Sequence, residues 1–148
     1  MKIPEIEISI KYSGTKKVDL NQIKSSSDVH TVCKELFSEG TIDWREEVVL
    51  LCLSNANKVI GYYRVSSGGV SSTVVDPRVV FTIALNCAGT TNIVLAHNHP
   101  SGNLNPSVQD DNLTRKIMEG GELLDIKLLD HLIITSEGYY SYLDEGKL

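Results

Sequence analysis

The sequence lacks the cysteine pattern of a zinc finger or of a domain held by disulfides. Its three cysteines, Cys33, Cys52 and Cys87, are odd in number and widely spaced, so no Cys-x-x-Cys pair is present to bind a metal. Because they stand among apolar neighbours, we expect them to be buried free thiols in a reducing compartment. This pattern favours the cytoplasm.

Long apolar runs and an excess of positive charge are also missing. No segment approaches the roughly 20 apolar residues that a membrane-spanning helix needs, and the N-terminus has no apolar core of a secretion signal. The net charge is −5, and the lysines and arginines are scattered apart from the pair Lys16 and Lys17. The sequence therefore has no basic patch typical of duplex DNA binding. We expect a soluble protein with no membrane partner.

Apolar periodicity predicts a mixed α/β fold with one curved mixed sheet flanked by helices. Strands are predicted at residues 5–11, 46–53, 58–65, 92–96, 126–135 and 139–143, and the apolar run over residues 48–53 indicates a strand covered on both faces. Three helices are predicted from their start and stop signals: one from a cap at Ser27 or Asp28 to Gly40, one over residues 77–88 after Asp76-Pro77, and one from Ser107 to Gly120-Gly121.

Two histidines stand just beyond the strand predicted at residues 92–96. Side chains alternate along a strand, so His97 and His99 are predicted to point to the same side. Ser107 and Asp110 are three residues apart and would lie on one face of a first helical turn. Catalytic zinc typically takes three protein ligands and keeps a fourth position open, which is the number that the two histidines and Asp110 offer. The sequence therefore predicts one Zn²⁺ per chain.

Other zinc enzymes require residues that this sequence does not have. A nucleobase deaminase needs His-x-Glu with Pro-Cys-x-x-Cys, and the protease signature His-Glu-x-x-His is also absent. A His-x-His pair alone is a weak signal. The added Ser and Asp at fixed distances make the whole pattern far more specific.

The pattern His97-x-His99, seven residues, Ser107, two residues, Asp110 resembles the signature of the JAB/JAMM (MPN-type) zinc metalloprotease superfamily. The string at residues 97–107 is similar to that of its bacterial RadC-like branch, with further matches at residues 76–78, 124–126, 130–133 and 138–141. The resemblance covers about residues 42–148 and implies the cytidine-deaminase-like architecture of that superfamily. We expect residues 42–148 to form this domain, and residues 1–41 to add a strand and a helix packed on it.

The resemblance also implies a role for each site residue. The two histidines and Asp110 would hold the zinc ion, Ser107 would steady the reacting oxygen, and a glutamate on an upstream strand would be the general base. The Arg-Glu start of the segment at residues 45–49 places this base at Glu46, with Glu47 as the alternative. The implied reaction is hydrolysis of a peptide or isopeptide amide bond in a peptide or protein substrate.

A competing hypothesis is a non-catalytic accessory protein of DNA repair or DNA processing, which would keep the metal for stability. Full-length RadC proteins carry an N-terminal helix-hairpin-helix module, but the first 40 or so residues show no glycine-rich hairpin between helices. We therefore expect this module to be absent. The low positive charge also argues against nucleic acid as the partner.

Two groups of residues keep alternative roles at this stage. The Ser/Gly-rich loop at residues 64–75, around Ser66-Ser67-Gly68-Gly69, is either a substrate wall that pairs with an extended peptide or an ordinary surface loop. Asp130 and His131 are either hydrogen-bonded polar residues of the core or partners that orient a zinc ligand.

Overall fold

A computed structural model describes residues 1–67 and 75–148. Its elements are α1 (Ser26–Leu36), β1 (Glu47–Leu53), β2 (Val59–Ser67), α2 (Pro77–Asn86), β3 (Asn92–Asn98), α3 (Val108–Leu123), β4 (Lys127–Ile134) and β5 (Tyr139–Ser141). The strands form one sheet in the order β2-β1-β3-β4-β5. Strands β3 and β4 are parallel, and the other neighbours are antiparallel. The predicted mixed sheet flanked by helices is confirmed.

Helices cover both faces of the sheet. The odd-numbered residues of β1 from Val49 onward pack in one core with α1. The even-numbered residues from Val48 onward pack in a second core with α2 and α3. Every residue of β1 after Glu47 is buried, so the predicted strand with two covered faces is confirmed.

Capping interactions determine where the first two helices begin. The cap of α1 is Ser25 rather than Ser27 or Asp28, because Asp28 is the third helical residue and its carboxylate bonds back to the N–H of Ser25. Helix α2 begins at Pro77 after the cap Asp76, as predicted. None of the helices within residues 1–67 and 75–148 is both long and apolar enough to cross a membrane.

The glycines predicted to end two helices have other positions. Helix α1 ends before Gly40, and α3 continues through Gly120 and Gly121. A Cβ atom on Gly120 would lie 2.8 Å from the ring of Phe81 in α2, and one on Gly121 would overlap the carbonyl oxygen of Ile126. The two glycines of α3 therefore permit close packing, which outweighs their low helix propensity.

The predicted strand at residues 5–11 is wrong. Residues 1–25, all of which the structure describes, contain no helix or strand, and Ile6 and Ile8 are exposed. Alternation gives a segment the side-chain pattern of a strand, but it provides no neighbouring strand for the backbone to pair with. The helix predicted in the same N-terminal part is present as α1, and its apolar face packs on the sheet.

Candidate metal centre

The two histidines of the motif lie at the end of β3, and their side chains point to the face of the sheet that α3 covers. His97 pairs with Val48 of β1 and Ile133 of β4, and it is only 2% exposed. The N–H of His99 donates to the carbonyl of Ile134 at 3.0 Å, which keeps the chain extended beyond β3. The two Nε2 atoms consequently lie 2.9 Å apart, as strand alternation predicts.

Asp110 reaches the same point from the first turn of α3. The Ser107 Oγ accepts the N–H of Asp110 at 3.1 Å, and Asp110 Oδ2 accepts the N–H of Ser107 at 2.7 Å. This reciprocal capping box holds the carboxylate in place. Asp110 Oδ1 lies 3.2 Å from His97 Nε2, and Oδ2 lies 3.5 Å from His99 Nε2.

The three side chains fit a tetrahedral metal ion. Their donor atoms all lie within 4.8 Å of one another, and this is the group of metal-ligating side chains that converges within the described residues. Zinc bonds of about 2.0–2.1 Å at tetrahedral angles separate neighbouring donors by roughly 3.3 Å. The observed separations of 2.9, 3.2 and 3.5 Å lie around that value. The His-His-Asp group can therefore bind a metal ion through three protein ligands.

The carbonyl of Asn103 sets the orientation of the His99 ring. His99 Nδ1 lies 2.6 Å from this oxygen. A carbonyl only accepts hydrogen bonds, so Nδ1 carries a proton and Nε2 is the atom turned toward the other ligands. Metal-binding histidines commonly donate their second N–H to such a group. The hydrogen bond with Asp110 raises the pKa of His99.

Asp110 is ionised at neutral pH. Burial opposes its ionisation, but the neighbouring imidazoles of His97 and His99 hold the pKa of its carboxyl far below the usual range. The carboxylate is the form that binds a metal ion. The centre thus offers two imidazoles and one negative charge.

The two adjacent glutamates have different surroundings. The carboxylate of Glu47 pairs with Arg64 Nη1 at 3.1 Å. Glu47 is the first residue of β1, and Val49, two residues along the strand, packs in the core with α1. The charge of Glu46 also contributes to the raised pKa of His99. The general base remains a prediction, and Glu46 is the candidate whose charge acts on the triad.

Ser107 has a clear structural role as the cap of α3. Its Oγ donates to Asp110 Oδ2 at 2.7 Å while accepting the Asp110 N–H. The residue as a whole is exposed to solvent. The predicted role in steadying a reacting oxygen remains a prediction.

Asn98 is a site residue that sequence reasoning missed. It stands between the two histidines, and its side chain is fully buried. Its Nδ2 donates to the carbonyls of Ile42 and Arg45, each at 2.7 Å, and its Oδ1 accepts the N–H of Glu47 at 2.7 Å. Asn98 therefore ties the ligand strand to the segment that carries Glu46. Alternation places residue 98 opposite the histidines, but its partners lie about 50 residues away and leave no local signal.

His131 lies directly behind His97. The pairing of β3 with β4 contains a register shift between Ile93 and Val94, after which Leu95 pairs with His131. His131 therefore lies on the same face as His97, and its Nε2 is 2.9 Å from His97 Nδ1. His131 is a buried, hydrogen-bonded core residue, and it also contacts His97, so its role in orienting a zinc ligand remains a prediction.

Asp130 lies apart from the metal centre. Its Oδ1 accepts the N–H of His131 at 2.7 Å and of Leu143 at 3.1 Å, and its Oδ2 accepts the hydroxyl of Ser141 at 2.6 Å. It is 2% exposed, and burial raises the pKa of its carboxyl. This is the predicted buried, hydrogen-bonded core residue, which joins β4 to the turn after β5.

The candidate substrate loop is in part a strand. Ser66 and Ser67 belong to β2, where they pair with Val48 and Glu47, so the strand is longer than predicted. A register shift between Val48 and Val49 lets β2 bend at this end. Gly68 and Gly69, with the rest of the loop to residue 74, lie outside the described residues. The substrate wall therefore remains a prediction.

Comparison with known proteins supports the resemblance. The family profile described as RadC-like JAB domain matches residues 23–147, a match that includes α1. A UPF0758 protein of Flavobacterium johnsoniae is 43% identical over 144 residues, which are 97% of this chain and 61% of the relative. A UPF0758 protein of Thermotoga maritima is 34% identical over 127 residues, which are 86% of this chain and 55% of the relative. The chain thus spans less than two thirds of the length of these curated relatives.

Proposed function

Since the chain belongs to the RadC-like JAB domain family, we propose that it is a zinc-dependent metallohydrolase that cleaves a peptide or isopeptide amide bond. The observation that supports this proposal is the convergence of His97, His99 and Asp110, with the charge of Glu46 acting on the same group. The relatives bear a family designation that states no activity. The reaction is therefore proposed from the chemistry of the site.

The donor set supports zinc as the metal. Two imidazoles and one carboxylate are the ligands of many catalytic zinc sites, which keep a fourth position for water. Bound there, zinc would lower the pKa of water to about 7 and polarise the substrate carbonyl. The ionised state of Asp110 and the Nδ1–H of His99 prepare these two ligands for a cation.

The protein's own residues would move the protons. Glu46 would accept a proton from the attacking water and then donate it to the nitrogen of the leaving amine. The hydroxyl of Ser107 would turn from Asp110 toward the tetrahedral oxyanion, a contribution typically worth about 3 kcal/mol per donor. Asn98 would keep Glu46 in register with the ligand strand through its three backbone hydrogen bonds.

The test compares two isosteric variants with the zinc-loaded wild type on a fluorogenic peptide library and on isopeptide-linked substrates. Glu46→Gln should retain zinc and lose about a hundredfold or more of the cleavage rate. Glu47→Gln is the matched control and should keep most activity, because its carboxylate pairs with Arg64. Equal loss in both variants, or no loss in Glu46→Gln, would contradict the assigned base. Salt-sensitive DNA binding without any cleavage would favour the accessory hypothesis.

A further inference from the structure

A chain of short polar contacts runs behind the metal centre from α3 through β4 to β3. The Oγ1 of Thr114 lies 2.7 Å from the backbone carbonyl of Asp110 and 2.6 Å from Nδ1 of His131. The Nε2 of His131 lies 2.9 Å from Nδ1 of His97. Thr114 and His131 are 3% and 0% exposed, so water does not replace these contacts.

The chemistry of the groups fixes the direction of each hydrogen bond. The carbonyl of Asp110 only accepts, so the single hydroxyl proton of Thr114 is donated to it. The hydroxyl oxygen must then accept at its other contact, which places the proton of His131 on Nδ1. A neutral imidazole carries one N–H, so Nε2 of His131 is an acceptor and receives the Nδ1–H of His97. The Nε2 of His97 is left with a free lone pair.

The surroundings of His131 support its neutral form. Its ring nitrogens meet a hydroxyl and an imidazole, and its ring stacks on Tyr142 with centroids 5.0 Å apart. No carboxylate contacts either ring nitrogen in the hydrogen bonds of the described residues. A charged imidazole without an ionic partner is costly in such a site.

We propose that Thr114 and His131 are positioning residues that hold His97 as the Nδ1–H tautomer, so that Nε2 is presented to the metal. This series of hydrogen bonds begins at one proposed ligand, Asp110, and ends at another, His97. The backbone carbonyl of Asp110 orients His97 through Thr114 and His131, while the Asp110 carboxylate faces the same metal position. One turn of α3 thus supplies a ligand and sets the tautomer of another. The inference rests on one part of the proposed function, the binding of a metal ion, and does not depend on the proposed reaction.

The first test measures zinc affinity by competition with a chromogenic chelator, without substrate. Thr114→Val keeps the shape of the side chain, removes the hydroxyl, and should weaken zinc binding by about tenfold or more. Thr114→Ser restores the hydroxyl and should bind zinc nearly as the wild type does. Thr31→Val is the matched control, because Thr31 also bonds to the carbonyl four residues earlier in a helix but lies in α1. It should leave the affinity unchanged.

The second test observes the tautomer directly by ¹⁵N NMR of histidine side chains in the zinc-free protein. We expect His131 to be neutral, with a protonated Nδ1 and an unprotonated Nε2. An Nε2–H tautomer or a charged ring at His131 would overturn the inference, and so would an unchanged zinc affinity in folded Thr114→Val. Thermal unfolding of each zinc-free variant separates affinity from folding. Failure of the hydrolase proposal would appear as zinc binding without cleavage, an outcome that these two measurements do not depend on.

Discussion

The side-chain oxygen of Asn98 accepts the backbone N–H of Glu47 at 2.7 Å, which joins the end of β3 to the start of β1. The same amide donates to the carbonyls of Ile42 and Arg45. Asn98 thus faces away from the two histidines on either side of it and holds the backbone around Glu46. The ligand strand and the proposed base are thereby kept in a fixed relation.

Replacing Asn98 should separate metal binding from catalysis. Asn98→Ala leaves an N–H and two carbonyls without their partner, and should lower the free energy of unfolding by about 1–3 kcal/mol. Because the segment with Glu46 is then free to shift, we expect a loss of about tenfold to a hundredfold in kcat, with zinc content unchanged. Zinc analysis and steady-state kinetics below the unfolding temperature measure both effects.

Asn92→Ala is the matched control for this variant. Asn92 is at the other end of β3, and its Nδ2 bonds to Asn57 Oδ1 at 2.8 Å. This substitution should also reduce stability but leave kcat unaltered. Similar kcat losses in both variants would mean that general destabilisation, and not the position of Glu46, explains the result for Asn98.

Metal content should depend on the triad and not on a histidine that lies away from it. Purified wild-type protein should carry about one equivalent of zinc, and His97→Ala and Asp110→Ala should lose most of it. Asp110→Ala should also be less stable by about 1 kcal/mol, because Asp110 is part of the capping box of α3. His30→Ala is the control, since His30 lies on α1 next to Tyr139, and it should retain zinc. Elemental analysis that finds no zinc in the wild type would contradict the proposed metal.

Local patterns predicted the centre, whereas long-range pairing determined what surrounds it. The period of a strand is enough to align His97 with His99, and the capping box is enough to orient Asp110, so three ligands could be predicted from neighbours in sequence. The contact of His131 with His97 depends on a register shift between β3 and β4, and no local pattern encodes that shift. The bonds of Asn98 to residues 42–47 also depend on strand pairing. Sequence reasoning therefore predicted the three candidate ligands, left His131 with two alternative roles, and missed Asn98.

The glycine pair in α3 also has a role that depends on contacts with residues outside the helix. Gly121→Ala should be strongly destabilising, because the new Cβ would overlap the carbonyl oxygen of Ile126 and push α3 away from the turn to β4. Overpacking of this kind typically lowers the free energy of unfolding by about 1–3 kcal/mol or more. Gly14→Ala is the control, since nothing lies within 4 Å of its Cβ position. Urea unfolding of the zinc-free variants measures the difference, and equal stabilities would mean that Gly121 has no packing role.

The buried carboxyl of Asp130 should make stability depend on pH in a direction opposite to that of an ordinary ion-paired aspartate. Burial raises its pKa above 3.8, so the folded protein binds a proton at this site more tightly than the unfolded chain does. Between 3.8 and the raised folded value, this group therefore adds stability as the pH falls and loses that contribution as the pH rises.

Asp130→Asn removes this titration while keeping the size of the side chain. We expect the free energy of unfolding of the wild type, measured relative to this variant, to increase as the pH is lowered from neutrality toward 3.8. Comparing the two zinc-free proteins by urea unfolding cancels the titration of the groups that they share. A wild-type advantage that shrinks on acidification would show that hydrogen bonds from Ser141 and Leu143 stabilise the ionised carboxylate more than burial disfavours it.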